Sequence, residues 1–100
     1  AVTRGVGFIL EAATWRGSRD WAQKLGRTEA QFAALNRRAV AFLDELREGR
    51  DTRETPMPIS GAIGPRGDGY TIAGRMSARE AQDYHAWQID ILADTQADYV

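Results

Sequence analysis

The order of apolar and amphipathic segments predicts an α/β fold with a parallel sheet, and three observations carry that expectation. The run Val6-Gly7-Phe8-Ile9-Leu10 is too short for a helix and does not alternate with polar residues, as expected of a strand covered on both faces. Pro58-Ile59-Ser60-Gly61-Ala62-Ile63 reads as a second short strand, and Ala97-Asp98-Tyr99-Val100 as the start of a third. The segments between them carry apolar residues at three- and four-residue spacing, and both open on a capping box, Thr28-Glu29-Ala30-Gln31 and Ser77-Ala78-Arg79-Glu80. Strand, helix, strand, helix, strand implies parallel neighbours joined by right-handed crossovers. Three strands with two helices on one side cannot bury both sheet faces. The 100 residues are therefore expected to be part of a larger β/α protein, with residues 1–5 as the tail of a preceding helix.

Each element has its own signal. After the first strand, Glu11-Ala12-Ala13-Thr14-Trp15-Arg16-Gly17-Ser18 brings polar and aromatic groups together abruptly. The mixed stretch to Gly26 reads as a long connection with a helical turn over residues 21–25. In the first long helix Phe32, Leu35, Ala39, Phe42, Leu43 and Leu46 are expected on the inner stripe, with Asn36, Arg37, Arg38, Asp44, Glu45 and Arg47 on other faces. Gly49 can supply the left-handed residue that ends it. Residues 50–58 are charged, contain two prolines and lack a period, so they form a surface connection, and the charges over residues 47–53 read as a solvated face. Small residues on the second strand allow neighbouring backbone or a ligand to come close. It runs into the loop Gly64-Pro65-Arg66-Gly67-Asp68-Gly69-Tyr70. In the second helix Ala81, Tyr84, His85, Gln88, Ile91 and Leu92 form the inner stripe.

Composition narrows the function classes. With 13 Lys+Arg against 14 Asp+Glu and a net charge of -1, the chain has no field to draw in nucleic acid or an anionic membrane. No cysteine is present, which removes thiol catalysis and a disulfide framework from these residues, and one histidine makes no zinc cluster of familiar spacing. No apolar run approaches the roughly 20 residues of a spanning helix. A soluble, cytoplasmic protein is the expectation.

In parallel sheets, open or closed, ligands bind at the carboxyl ends of the strands. Both unusual segments fall there: Glu11-x-x-Thr14-Trp15 and the loop at residues 64–70. A carboxylate can hold an amine or a water, a hydroxyl can orient it, and an indole can face a cation or an apolar group. The plainer reading makes Glu11 a solvated strand end and Trp15 a cover for the sheet end. The glycine-rich loop matches neither phosphate-binding pattern, Gly-x-x-x-x-Gly-Lys-Ser/Thr or Gly-x-Gly-x-x-Gly. Its Arg66-Gly67-Asp68 tripeptide is too short to mean adhesion, and its backbone amides could still cradle an anion. His85 has no second ligand or nucleophile at helical spacing and reads as a packed helix histidine, as Trp21 and Trp87 read as packing residues.

Gly5-Val6-Gly7-Phe8-Ile9-Leu10-Glu11-Ala12-Ala13-Thr14-Trp15-Arg16 resembles the second strand of the homocysteine S-methyltransferases, an apolar strand ending in Glu-x-x-Thr and an aromatic. Ser60-Gly61-Ala62-Ile63-Gly64-Pro65-Arg66-Gly67-Asp68 is similar to that family's third-strand Gly-x-x-Gly-Pro segment. The likeness continues in order through Met76-Ser77-Ala78-Arg79-Glu80-Ala81, Tyr84-His85 and Ala97-Asp98. It implies a (β/α)8 TIM barrel of about 300 residues, of which residues 1–100 would be a partial domain holding about strands 2 to 4. It implies methyl transfer from a small donor to the thiol of homocysteine, giving methionine. Zn2+ would activate that thiol, held by cysteines that lie outside this chain. Carried over by position, Glu11, Thr14, Trp15, Gly64 and Pro65 would line the substrate pocket, and this chain would contribute wall rather than a catalytic residue. Ala12 and Ala13 depart from the bulkier or polar pair common in the family, which bears on the identity of donor or acceptor. Two other classes stand beside this reading: a barrel of the same descent that has lost catalysis and serves as a binding or structural protein, and an unrelated flavodoxin-like module whose glycine loop holds an anion.

Overall fold

The computed structural model describes residues 1–67, 69–70 and 75–100. Asp68, part of the glycine-rich loop singled out above, lies outside the described residues. A 3-10 turn, Val2–Arg4, is followed by β1 (Leu10–Glu11), α1 (Arg19–Lys24), α2 (Glu29–Arg47), β2 (Ile59–Ser60) and α3 (Ala78–Ala93).

The sheet is parallel. Leu10 stands opposite Ile59 and Glu11 opposite Ser60. The hydrogen-bond ladder extends past these pairs: the N–H groups of Phe8, Leu10 and Ala12 donate to the carbonyls of Pro56, Pro58 and Ser60 at 2.9, 2.9 and 2.8 Å. On the far side of β2, the Gly61 N–H donates to Tyr99 O and the Asp98 N–H to Ile59 O, both at 2.8 Å, and Ser60 bridges Tyr99 in parallel. β2 therefore lies between β1 and the start of the expected third strand.

Both capping boxes form. The Thr28 and Ser77 hydroxyls accept from the N–H of Gln31 and Glu80, whose side chains accept in return from the capping backbones. The helices pack on one side of the sheet, where Leu10, Ala12, Val40, Leu43, Met57, Ile59 and Leu92 make one apolar cluster. Each large side chain in it contributes about 1.5–3 kcal/mol by leaving water. The other face is not covered as expected of the first strand: Ile9 is 58% exposed, and ahead of β1 Val6 and Phe8 are open too. The physical reason is that α2 and α3 feed the same cluster.

Two further expectations are corrected. The buried stripe of α2 is Phe32, Asn36, Val40 and Leu43, while Leu35, Leu46 and Phe42, the last 62% exposed, face outward. Apolar side chains in neighbouring rows obscured the true row, which passes through a polar residue. Nor is Arg47 part of a solvated face. Its Nε donates to Asp44 at 2.9 Å and its Nη1 to Asp98 at 2.8 Å, and the same Asp98 oxygen accepts the Ile59 N–H at 2.7 Å. The backbone bond from Ile59, together with the Arg47 guanidinium, holds the Asp98 carboxyl below its ordinary value. These contacts tie the end of α2 to the incoming third strand. Gly49, at φ 69°, takes the left-handed conformation expected after the helix.

Candidate functional site

From Leu10 to Trp15 burial alternates strictly. Leu10, Ala12 and Thr14 are buried, and Glu11, Ala13 and Trp15 are exposed. At the carboxyl end of β1 and in the bend just beyond it, a carboxylate, a methyl group and an indole are thus open to solvent.

Thr14 is not among them. It is 2% exposed; its hydroxyl donates to Ala62 O at 2.8 Å and accepts the Ala62 N–H at 3.0 Å, clamping the two strand ends together. Beyond it the chain turns sharply, with the Gly17 N–H donating to Thr14 O at 2.8 Å. Two helix amides meet this turn. Gln88 Nε2 on α3 donates to Thr14 O at 2.6 Å and to Asn36 Oδ1 at 3.0 Å. Asn36 Nδ2 on α2 donates to Gly17 O at 2.9 Å and to Phe32 O at 2.8 Å. Ser18, also buried, accepts from the Tyr84 hydroxyl at 2.9 Å. Among the described residues no buried side-chain nitrogen or oxygen lacks a partner.

Trp15, 49% exposed, lies across the second strand end. A β-carbon on Gly64 would sit 2.5 Å from Trp15 O and 2.9 Å from the indole, so only glycine admits this approach. The Arg16 guanidinium stands 5.2 Å from the Trp15 ring and 4.5 Å from that of Trp21, which Lys24 also approaches at 4.6 Å. Arg66, two residues past Gly64, donates to Asp20 at 3.1 Å and faces the Tyr84 ring at 5.1 Å, drawing the second loop onto α1 and α3. His85 is half-buried, edge-on to Tyr84 at 5.0 Å. An open groove of about 510 Å³ runs between the turn and the outer side of α2, lined by Ala13, Arg16, Leu35, Ala39 and Phe42 among others.

Of the five positions expected to line a pocket, Trp15 and Gly64 are in direct contact and Thr14 is bonded to the strand that leads to Gly64. Glu11 is exposed at the end of β1, four residues before Trp15, and Pro65 is exposed beside Gly64. The buried amides of Asn36 and Gln88 and the tight place of Gly17 complete the site. Gln88 was legible as part of an inner stripe. Asn36 was not, although its four-residue spacing from both Phe32 and Val40 is the signal that could have found it. Among the described residues no group of three His, Cys, Asp or Glu side chains could hold a metal ion, and no helix is long and apolar enough to cross a membrane.

Against known proteins, the family model described as homocysteine S-methyltransferase matches residues 5–100. No curated protein and no solved structure gives a match.

Proposed function

Since the chain belongs to the homocysteine S-methyltransferase family, we propose that the protein transfers a methyl group from a small donor to the thiol of homocysteine, giving methionine, and that residues 1–100 supply part of the pocket wall of a larger (β/α)8 barrel. Membership sets aside the flavodoxin-like alternative. The observation that carries the proposal is the alternation of burial at the end of β1, which leaves Glu11 and Trp15 exposed at and just past the strand's carboxyl end within the matched region.

In this reading each residue has a separate task. The Glu11 carboxylate faces the ammonium of an amino-acid substrate. The Trp15 ring walls the methyl-donor side, where a sulfonium or quaternary ammonium centre gains from an aromatic face. Arg16 already attends that ring at 5.2 Å, so a cationic donor must take the free part of the ring or displace the guanidinium. Gly64 keeps the second strand end low enough for the indole to lie over it, with Pro65 next to it at the rim. Thr14 acts from beneath, through its paired bonds to Ala62.

A Zn2+ ion on cysteines outside these residues belongs to the proposal, because a coordinated thiol is held as the nucleophilic thiolate. The residues of this chain do not fit such an ion: they include no cysteine and a single histidine.

The test is methyl transfer to homocysteine by the full-length protein, assayed with sulfonium and betaine-type donors, beside Trp15→Ala. The variant is expected to lower kcat/KM at least tenfold, about 1.4 kcal/mol of transition-state stabilisation, with little change in melting temperature. Unchanged kcat/KM with a strongly lowered melting temperature would leave Trp15 as packing and sink the assignment.

A further inference from the structure

We propose that Asn36 and Gln88 are positioning residues: their buried amides lock the turn at residues 14–17 and so fix where Trp15 lies over Gly64. The inference rests on the reading of Trp15 as pocket wall and deepens it by naming what holds that wall in place.

Both side chains are 2% exposed and come from different helices, yet they converge on two carbonyls of one turn. All four amide hydrogens are committed. Gln88 spends its pair on Thr14 O and Asn36 Oδ1, and Asn36 spends its pair on Gly17 O and Phe32 O. The arrangement has one orientation only: turning the Asn36 amide over would set its oxygen against the Gly17 and Phe32 carbonyls and its nitrogen against Gln88 Nε2.

The turn fits this pair of amides closely. A β-carbon on Gly17 would lie 2.6 Å from Gln88 Nε2 and 2.8 Å from Thr14 O, and would also strike the Asn36 amide oxygen. Thr14 O accepts both Gln88 Nε2 and the Gly17 N–H, so both of its lone pairs are taken. Trp15 is thereby held between two fixed points, the Thr14 and Gly17 carbonyls, and its own carbonyl and indole rest on Gly64. Apolar residues of the same volume could fill this space, though they would leave the Gly17 carbonyl without its side-chain donor. What they could not do is choose one conformation of a turn whose only handles are backbone carbonyls.

The experiment compares Gln88→Met and Asn36→Leu, which keep bulk and remove the donors, with Val40→Ala, which destabilises the same helix packing without touching the turn. Three quantities are read on the full-length protein: hydrogen exchange in peptides covering residues 13–18, acrylamide quenching of Trp15 in a background where every other tryptophan, Trp21 and Trp87 included, is Phe, and kcat and KM for methyl transfer. The expected result is at least tenfold faster exchange in the turn and stronger Trp15 quenching for both amide variants, with kcat/KM lowered at least fivefold. Val40→Ala should leave turn exchange and quenching near the unsubstituted protein. If Gln88→Met does not fold, Gln88→Ala removes the same donors without burying a charge and carries the same comparison. Turn exchange and quenching that follow stability alone, as in Val40→Ala, would overturn the lock. A loosened turn with unchanged kcat/KM would overturn its part in the reaction. Exchange and quenching do not depend on methyl transfer, so a protein that transfers no methyl group would refute the functional reading while these two measurements still decide whether the lock exists.

Discussion

A single added carbon is enough to disturb the strand-end turn. Gly17→Ala would bring a methyl group within 2.8 Å of Thr14 O and 2.6 Å of Gln88 Nε2, neither of which can retreat without losing a bond. The expected cost is at least the roughly 1–3 kcal/mol typical of an overpacked interior, read as a lowered urea midpoint. Gly64→Ala meets a different neighbour, the Trp15 backbone and ring at 2.5 and 2.9 Å. It should move Trp15, and near-UV circular dichroism would register the change in the indole environment. An unaltered spectrum with intact stability would mean that the indole does not rest on Gly64 in solution.

On the scale of the helices, the capping boxes and the buried row of α2 make separable predictions. Thr28→Ala and Ser77→Ala each remove a hydroxyl that accepts a helix-starting N–H, at 3.1 and 3.3 Å, and should each cost about 1 kcal/mol in chemical denaturation. Along α2, Leu43→Ala empties part of the sheet-facing cluster and is expected to cost about 2–5 kcal/mol. Thermal or urea unfolding of Leu43→Ala against an alanine scan of Ala-compatible surface positions such as Arg38 should show the difference, because exposed sites away from such features change stability by only about 0.5 kcal/mol.

For the molecule as a whole, the junction of α2, β2 and the third strand gives stability a dependence on acid. The Asp98 carboxyl is held below its ordinary value of 3.8 by the Ile59 N–H and then by Arg47. A carboxyl depressed on folding contributes stability that is fully present above its unfolded value and is lost as pH falls through the lower folded value. Stability should therefore decline as pH drops below about 4, and Asp98→Asn should flatten that limb while lowering stability near neutrality. Urea midpoints measured across that range would show it, and an unchanged acid limb would exclude Asp98 as a contributor. Arg47 remains charged throughout, since its bonds to Asp44 and Asp98 outweigh the burial that opposes the charge and raise it further. At the same scale, Val6, Phe8 and Ile9 ahead of β1 and Leu35 and Phe42 on α2 leave apolar surface open. Expressed alone, the 100-residue chain is expected to self-associate, with sedimentation coefficients that rise with concentration.

Local rules determined much of this protein from sequence alone. Both capping boxes, the order of parallel strands, the left-handed Gly49 and the place of the two unusual segments at strand ends follow from spacings within a few residues, and they hold in the structure. The family motifs, being runs of adjacent residues, were legible for the same reason. The tertiary structure alone decided what depends on partners distant in the chain. Asn36 is polar and sits in a helix rich in apolar residues, so nothing nearby marks it as buried; Gly17, 19 residues away, and Gln88, 52 residues away, supply the bonds that make burial tolerable. Arg47 likewise looks solvated until Asp98, 51 residues on, comes to meet it. Thr14 has the residue type of a ligand-binding hydroxyl, and only the parallel pairing that brings Ala62 alongside shows that its hydrogen bonds are spent on joining the strands.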